Sequence, residues 1–369
     1  MAALAALTLA LAACSTESGP ENGQNPLRPK GTYAKDIDNL FTPIFWVAVA
    51  VGVFILGATI FVAVRFRHRK GADDRPKQLH GNTPLEIGWT LIPALILAVI
   101  AVPTVALIFD LAEEPANPLE VTVVGKQWWW QFDYGKQAGI DRKIVTADEL
   151  HIPTGRDVKL KLEACDDSLG TTGTRPNCNV IHSFWVPELT GKRDVVPGLH
   201  NTMKLRTDRP GTYLGQCAEY CGLSHANMRF RVIAQSPDEF QQWVDGQVEG
   251  PAVPLSDAGE ATGLFTKKFQ CTNCHTTEDS SISVYGPNLT HLASRTTFAS
   301  GYYELTRANL VRWILNAPSM IPMESENCRL PERPMCVGMP SFTEDTPPGY
   351  PVMTRAEAEA LADYLLELK

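Results

Sequence analysis

Two uncharged apolar runs constrain this chain more than anything else in it: FTPIFWVAVAVGVFILGATIFVAV, from Phe41 to Val64, and IGWTLIPALILAVIAVPTVALIF, from Ile87 to Phe109. Each is long enough to cross about 30 Å of hydrocarbon as a helix. Core helices of soluble proteins are seldom this long without a charge. The whole-chain figures, 44% hydrophobic and 20% charged residues, sit in the ordinary globular range and would have hidden the membrane. Between the runs lies RFRHRKGADDRPKQLHGNTPLE, with Arg65, Arg67, Arg69, Lys70, Arg75 and Lys77 close to the helix ends, which predicts a cytoplasmic loop. Both chain ends are then outside, and everything after Leu111 lies in a compartment where free thiols pair or oxidise. A bacterial plasma membrane with two spans is the expected location.

The first residues, MAALAALTLALAACSTESGPENG, run through Leu11-Ala12-Ala13-Cys14 and are similar to a bacterial lipoprotein signal, which makes Cys14 a candidate for lipidation. Ser15 to about Tyr33 is polar and rich in Gly, Pro and Asn, the composition of a tether. A net charge of -8 argues against nucleic acid as a partner, because phosphate binding needs a basic face.

From Leu119 the pattern becomes short β-rich runs: LEVTVVGKQWWWQFDY, DVKLKLEAC, NVIHSFWVPEL, NTMKLRTD, GTYLGQC and MRFRVIAQ, separated by turn residues. Many short strands at such spacing predict an antiparallel sandwich or barrel. SPDEFQQWVDGQV then reads as an amphipathic helix capped by Ser236, and EGPAVPLSD as a Pro-containing linker.

Within the β region, GQCAEYCGLSHANM places Cys217, Cys221, His225 and Met228 on one short stretch, and His182 lies 35 residues before Cys217. Two thiolates, two imidazoles and a thioether select copper or zinc. A structural zinc site leaves Met228 unused, a mononuclear blue copper site leaves one cysteine exposed to oxidation, and a disulfide is the plainest alternative. A binuclear centre with both thiolates bridging two coppers uses every group.

The motifs LEIGWTLIPALIL, GKQWWWQFDY, VIHSFWVPEL, GKRDVVPG and GQCAEYCGLSHANM make the region from about Asp36 to Val244 resemble subunit two of haem-copper cytochrome c oxidases. The resemblance implies a transmembrane hairpin followed by a cupredoxin-like sandwich carrying binuclear copper, CuA. It implies His182, Cys217, Cys221, His225 and Met228 as ligands, with the Glu219 carbonyl as a further one and the Glu219 carboxylate reaching a magnesium ion shared with subunit one. By the same resemblance Trp128 stands at the family's electron-entry position, with sheet packing as the plainer role of three successive tryptophans, and Glu86 matches a carboxylate near the mouth of a proton path, where a helix cap is the plainer role. Trp129 reads as sheet packing. Two positions depart from the family: Asn179 stands where an acidic residue is common, and Leu199 where an arginine follows the Pro-Gly turn.

Farther on, CTNCH has the C-x-x-C-H spacing of covalent c-type haem attachment, with Cys271 and Cys274 forming thioethers and His275 an axial ligand. SDAGEATGLFTKKF is expected as a helix leading into it, RANLVRWILN as a middle helix, and TRAEAEALADYLLEL as a last helix opened by a capping box. The segment resembles a small, all-α class I cytochrome c, and the whole chain a caa-type oxidase subunit. The resemblance assigns Met339 as the sixth haem ligand, with Met320 and Met323 as rivals. Of the nine cysteines, four remain: Cys165 with Cys178 and Cys328 with Cys336 are local pairs outside the membrane, so two disulfides are expected.

The expected organisation is a signal at 1–14, a tether at 15–35, a hairpin at 36–115 with helices about 41–66 and 87–111, a CuA domain at 116–248, a linker at 249–256 and a cytochrome c domain at 257–369. The implied activity is electron transfer from a cytochrome or a cytochrome bc-type complex through haem c and CuA to subunit one, which reduces oxygen, with subunit three as a further partner. A CuA subunit of a nitric oxide reductase and a copper-delivery protein are the alternatives.

Overall fold

The computed structural model describes residues 23–67, 80–164, 180–277, 285–323, 337–343 and 351–369. The expectations for Cys14, Cys165, Cys178, Asn179, Cys328 and Cys336, and for most of the basic loop, fall outside these residues. The chain divides into two compact units, Lys35–Glu114 and the remainder.

The first unit consists of two helices, α1 (Thr32–Arg65, whose first turn belongs to the other unit) and α2 (Thr83–Ala112). Both extend beyond the apolar runs. At α2 the reason is a cap: the Asn82 side chain accepts the Leu85 N–H at 3.3 Å, and the Glu86 carboxylate accepts the Asn82 N–H at 3.1 Å. The most apolar stretch of each helix has none of its residues buried within the protein. Val99 and Phe54, more than 70% exposed, would face water at a cost unless lipid covered them. A helix from the core of a soluble protein would instead be mostly buried.

The second unit begins with a β-sandwich. Its strands are β1 (Leu119–Lys126), β2 (Trp129–Tyr134), β3 (Ile144–Ala147), β4 (Glu149–Pro153), β5 (Val158–Glu163), β6 (His182–Trp185), β7 (Lys192–Val195), β8 (Asn201–Leu205), β9 (Gly211–Cys217) and β10 (Arg229–Gln235). One sheet runs β3-β2-β1-β5-β8 and the other β4-β10-β9-β6-β7. The expected antiparallel pattern is only partly right, because β1 lies parallel to β5 and β4 parallel to β10. Such pairs join strands distant in sequence, and local alternation does not reveal them. Rings from both sheets fill the core: Trp130 of β2 meets Phe184 of β6 edge-on at 5.4 Å, and Phe184 stacks on Phe230 of β10 at 4.4 Å.

The helix after the sandwich, α3 (Pro237–Val248), has the expected Ser236 cap, completed by Glu239 into a capping box. The expected helix over SDAGEATGLFTKKF is instead a short α4 (Glu260–Gly263) that widens into a π turn at Leu264–Lys268 and stops at Gln270, which is left-handed (φ 52°). A hairpin follows, β11 (Thr297–Phe298) and β12 (Tyr303–Glu304), so the described part of this segment is not purely helical. Then come α5 (Arg307–Met320) and α6 (Arg355–Leu365), the latter opened by the Thr354–Glu357 capping box. Pro318 has no N–H to give, and α5 breaks at Asn316. There its backbone pairs with Ser341 and the Leu315 carbonyl accepts the Phe342 N–H at 2.9 Å, which brings the strip carrying Met339 onto the helix end.

Candidate metal centre and adjoining pocket

Cys217 ends β9 and Arg229 begins β10, so the intervening loop is pinned at both ends of an antiparallel pair. The Cys217 N–H donates to the Met228 carbonyl at 2.9 Å, which closes the loop. Ala218 N–H donates to the Ser183 carbonyl on β6, placing His182 beside the cysteines. Behind the His182 ring lies Gly125 of β1, where an added Cβ would stand 2.9 Å from the imidazole Cδ2.

The donor atoms converge. The Cys217 and Cys221 sulfurs are 3.8 Å apart; His182 Nδ1 lies 3.8 Å from Cys217 Sγ, and His225 Nδ1 lies 3.7 Å from Cys221 Sγ. Met228 Sδ is 3.7 Å from Cys221 Sγ, and the Glu219 carbonyl oxygen is 3.2 Å from Cys217 Sγ. A sulfur pair this far apart is no disulfide. One ring nitrogen flanks each sulfur, which fits a pair of soft metal ions bridged by two thiolates better than it fits one tetrahedral ion. The hydrogen bond between the two sulfurs holds the Cys217 thiol below its ordinary value, while the same bond and burial push Cys221 up. Glu219 uses its carboxylate on the Tyr220 N–H at 3.1 Å.

The carbonyl of Cys221 receives two hydrogen bonds from the β1–β2 turn, from Gln127 Nε2 at 2.8 Å and Trp128 Nε1 at 3.0 Å. The other side of Trp128 lines a cavity of about 220 Å³. Cys271, Cys274, His275, Met323 and Met339 line it too, together with apolar groups from α5 and α6. His275 Nδ1 meets the Pro287 carbonyl at 2.9 Å, which fixes the tautomer and leaves Nε2 for a metal. Burial holds this imidazole below its ordinary pKa and pushes the Cys271 thiol up to about 12. A glycine again backs the ring: a Cβ on Gly286 would lie 2.5 Å from His275 Cε1. An apolar void with two thiols and an imidazole on its wall fits a covalently attached haem c. Both Met339 and Met323 reach the cavity, and the Met339 N–H lies 3.2 Å from Met323 Sδ. Trp129 also lines it, with Lys126 Nζ 4.9 Å above its ring.

Residues 29–107 match the model of the cytochrome c oxidase subunit II transmembrane domain, and residues 119–235 match that of its periplasmic domain. Subunit 2 of cytochrome c oxidase from Alkalihalophilus pseudofirmus is 35% identical over 99% of this chain and 96% of its own length. The chain belongs to the cytochrome c oxidase subunit II family. The corresponding subunit of Bacillus subtilis is 30% identical over 84% of this chain and 82% of its own length, and a quinol oxidase subunit 2 from Bacillus cereus is 31% identical over 63% and 75%. As a family member the chain is a two-span membrane subunit of an oxidoreductase complex, partnered by subunit one, and the match over residues 119–235 implies CuA copper. The nitric oxide reductase and copper-delivery alternatives are not favoured.

Several residues at this junction were not singled out from sequence: Gln127, Asp148, Glu149, Arg295 and Ser300. The one local signal was the acidic pair in VTADELHIP, set between two β-rich runs.

Proposed function

We propose that this chain receives electrons for its oxidase through two centres of its own, a haem c on Cys271, Cys274 and His275 and a binuclear copper on Cys217 and Cys221. The convergence of two thiols, two imidazole nitrogens, a thioether and a carbonyl carries the copper reading. His182 and His225 would terminate the two ions, with Met228 and the Glu219 carbonyl as weaker ligands. When bound, both groups supply one-electron storage, the copper pair sharing its charge over two metals. The protein's part is to hold donors still: the β9–β10 loop and the Gly125-backed imidazole leave little to rearrange between redox states.

The haem reading is supported by the CTNCH order, the His275–Pro287 contact and the apolar cavity. Met339 is the proposed sixth ligand. The Glu219 carboxylate would reach a magnesium ion at the contact with subunit one, and Glu86 would serve a proton path in addition to capping α2. In this reading the CuA and haem segments lie outside the cytoplasm, and electrons come from a cytochrome or a bc-type complex to an oxidase that also contains subunit three. Purification of the intact complex tests the copper and haem assignments together. Two coppers per chain with near-infrared mixed-valence absorption and one haem that stays attached in alkaline pyridine are expected. One copper, or none, would overturn the copper assignment, and extractable haem alone would overturn the attachment.

A further inference from the structure

The β3–β4 turn presents two adjacent buried carboxylates, and both are committed to the segment that follows the CTNCH motif. Asp148, left-handed at φ 61°, accepts the Trp130 N–H at 2.9 Å on one oxygen and the Ser300 N–H at 3.0 Å on the other. Glu149 Oε1 accepts four bonds: the Thr296 N–H at 3.0 Å and hydroxyl at 2.7 Å, and the Thr297 N–H and hydroxyl, each at 3.1 Å. The Ser300 hydroxyl donates to the carbonyl of Trp128. Ala299, Ser300 and Gly301 are all left-handed, at φ 54°, 58° and 70°. For the first two that conformation is unfavourable, and it persists only where surrounding contacts over-determine it. Those contacts are the two carboxylates and Trp128. Farther round, the Arg229 guanidinium sits 5.1 Å over the Tyr302 ring, and the Ser224 hydroxyl donates to the Pro322 carbonyl.

We infer that Asp148 and Glu149 form a latch that docks the β11–β12 hairpin on the copper domain, so that Trp128 is covered and faces the cavity lined by Cys271, Cys274 and His275. Trp128 is 7% exposed, and its indole N–H already touches the carbonyl of Cys221. A residue that could receive electrons from solvent is here closed to any outside donor and open to one pocket. Asp148 and Glu149 are positioning residues, because they touch neither centre and act through the hairpin and Trp128. What the pocket holds rests on the haem reading above. On that reading a haem held by Cys271, Cys274 and His275 would supply one electron and a copper pair held by Cys217 and Cys221 would accept it, an exchange that asks no proton of these residues.

The test uses the intact oxidase complex bearing Glu149→Ala or Glu149→Gln. Glu149→Ala is expected to keep wild-type copper and haem contents, to speed hydrogen exchange at the Thr296, Thr297 and Ser300 amides by about tenfold or more, and to slow haem-to-copper transfer after flash reduction by a similar factor. Glu149→Gln retains one acceptor oxygen and is expected nearer wild type in both measurements, a rescue that a general packing defect would not give. The double variant Thr296→Val with Thr297→Val removes two donors from the opposite side and is expected to reproduce the exchange and rate changes, so the result does not hang on one variant folding. Unchanged exchange and unchanged transfer in Glu149→Ala, with both centres full, would overturn the latch. A wild-type complex without covalent haem would overturn the haem reading, and the exchange measurement would still judge the latch by itself.

Discussion

Two of this chain's cysteine pairs, Cys217 with Cys221 and Cys271 with Cys274, lie on either side of one tryptophan and are built in opposite ways. Cys217 and Cys221 sit on a loop whose ends are fixed in a sheet, with their partner atoms gathered within 4 Å in the core of a sandwich. Cys271 and Cys274 stand on the wall of a cavity of about 220 Å³, assembled from turns, the end of a broken helix and a strip that pairs with it. The first site is shaped before anything binds. The second is a roomy, mostly apolar enclosure whose walls come from several separate elements.

The sharpest way to break this comparison is to remove one sulfur from the copper side alone. Cys217→Ser or Cys221→Ser should abolish the two coppers and their absorption while leaving the covalent haem at full content, measured by metal analysis and the alkaline pyridine spectrum on the same sample. Retention of both coppers in either variant would end the distinction at its root. Next in size is stability. With Cys271 and Cys274 both changed to alanine, the pocket stays unfilled, and at roughly 24 cal/mol per Å³ of void the penalty is about 5 kcal/mol, comparable with the whole stability of a small domain. Calorimetry should show the C-terminal transition lost and the sandwich transition kept; copper removal by a chelator should leave both. If the haem-free segment melts as the wild type does, the cavity is not what its fold depends on.

A smaller effect separates the two methionines. Met339→Ala should remove the weak sulfur-to-iron band at the red end of the oxidised spectrum and lower the haem potential, whereas Met323→Ala should leave both unchanged; the reverse result moves the ligand to Met323.

The smallest effect is a pH dependence at the junction between the two sites. Burial pushes Asp148 up to about 7, against the opposing pull of the Trp130 N–H and Arg295. The folded chain therefore keeps a proton that the unfolded chain has released, so this contribution is full below the ordinary value of 3.8 and is lost as pH rises through about 7. For Glu149 burial works to raise the pKa, but His151, Thr296 and Arg295 together hold it below its ordinary value, so its contribution is lost as pH falls through that lowered value. The stability of this second unit, read by thermal unfolding, should be greatest in mildly acidic solution, and Asp148→Asn should flatten the decline toward neutral pH. A decline that survives in Asp148→Asn would assign it elsewhere.

How far each site could be read from sequence follows from how each is built. The copper donors lie on a single stretch, C-x3-C-x3-H-x2-M, with only His182 brought from another strand, so their chemistry shows in the spacing. The spanning helices show through length alone, although their ends do not, because caps such as Asn82–Glu86 lie outside the apolar run. Strands β3, β4 and β7 went unread. β7 is Lys-Arg-Asp-Val with three exposed residues, which carries no alternation to detect. The parallel pairs β1–β5 and β4–β10 are set by tertiary contact. The role of Glu149 was invisible for the same reason, since its donors lie 147 and 148 residues away. The π turn at Leu264–Lys268 escaped because its composition is that of an ordinary helix.

The cover over Trp128 is made by the same polypeptide that carries the tryptophan. A separate donor would have to find that surface by diffusion, drawn there by surface charges whose reach shrinks to about 8–10 Å at physiological salt. A tethered and docked segment needs no search. On the proposed haem reading, passage across this junction would be a first-order event, indifferent to ionic strength and to donor concentration, and any salt sensitivity of the complex would move outward to the surface where the first electron arrives.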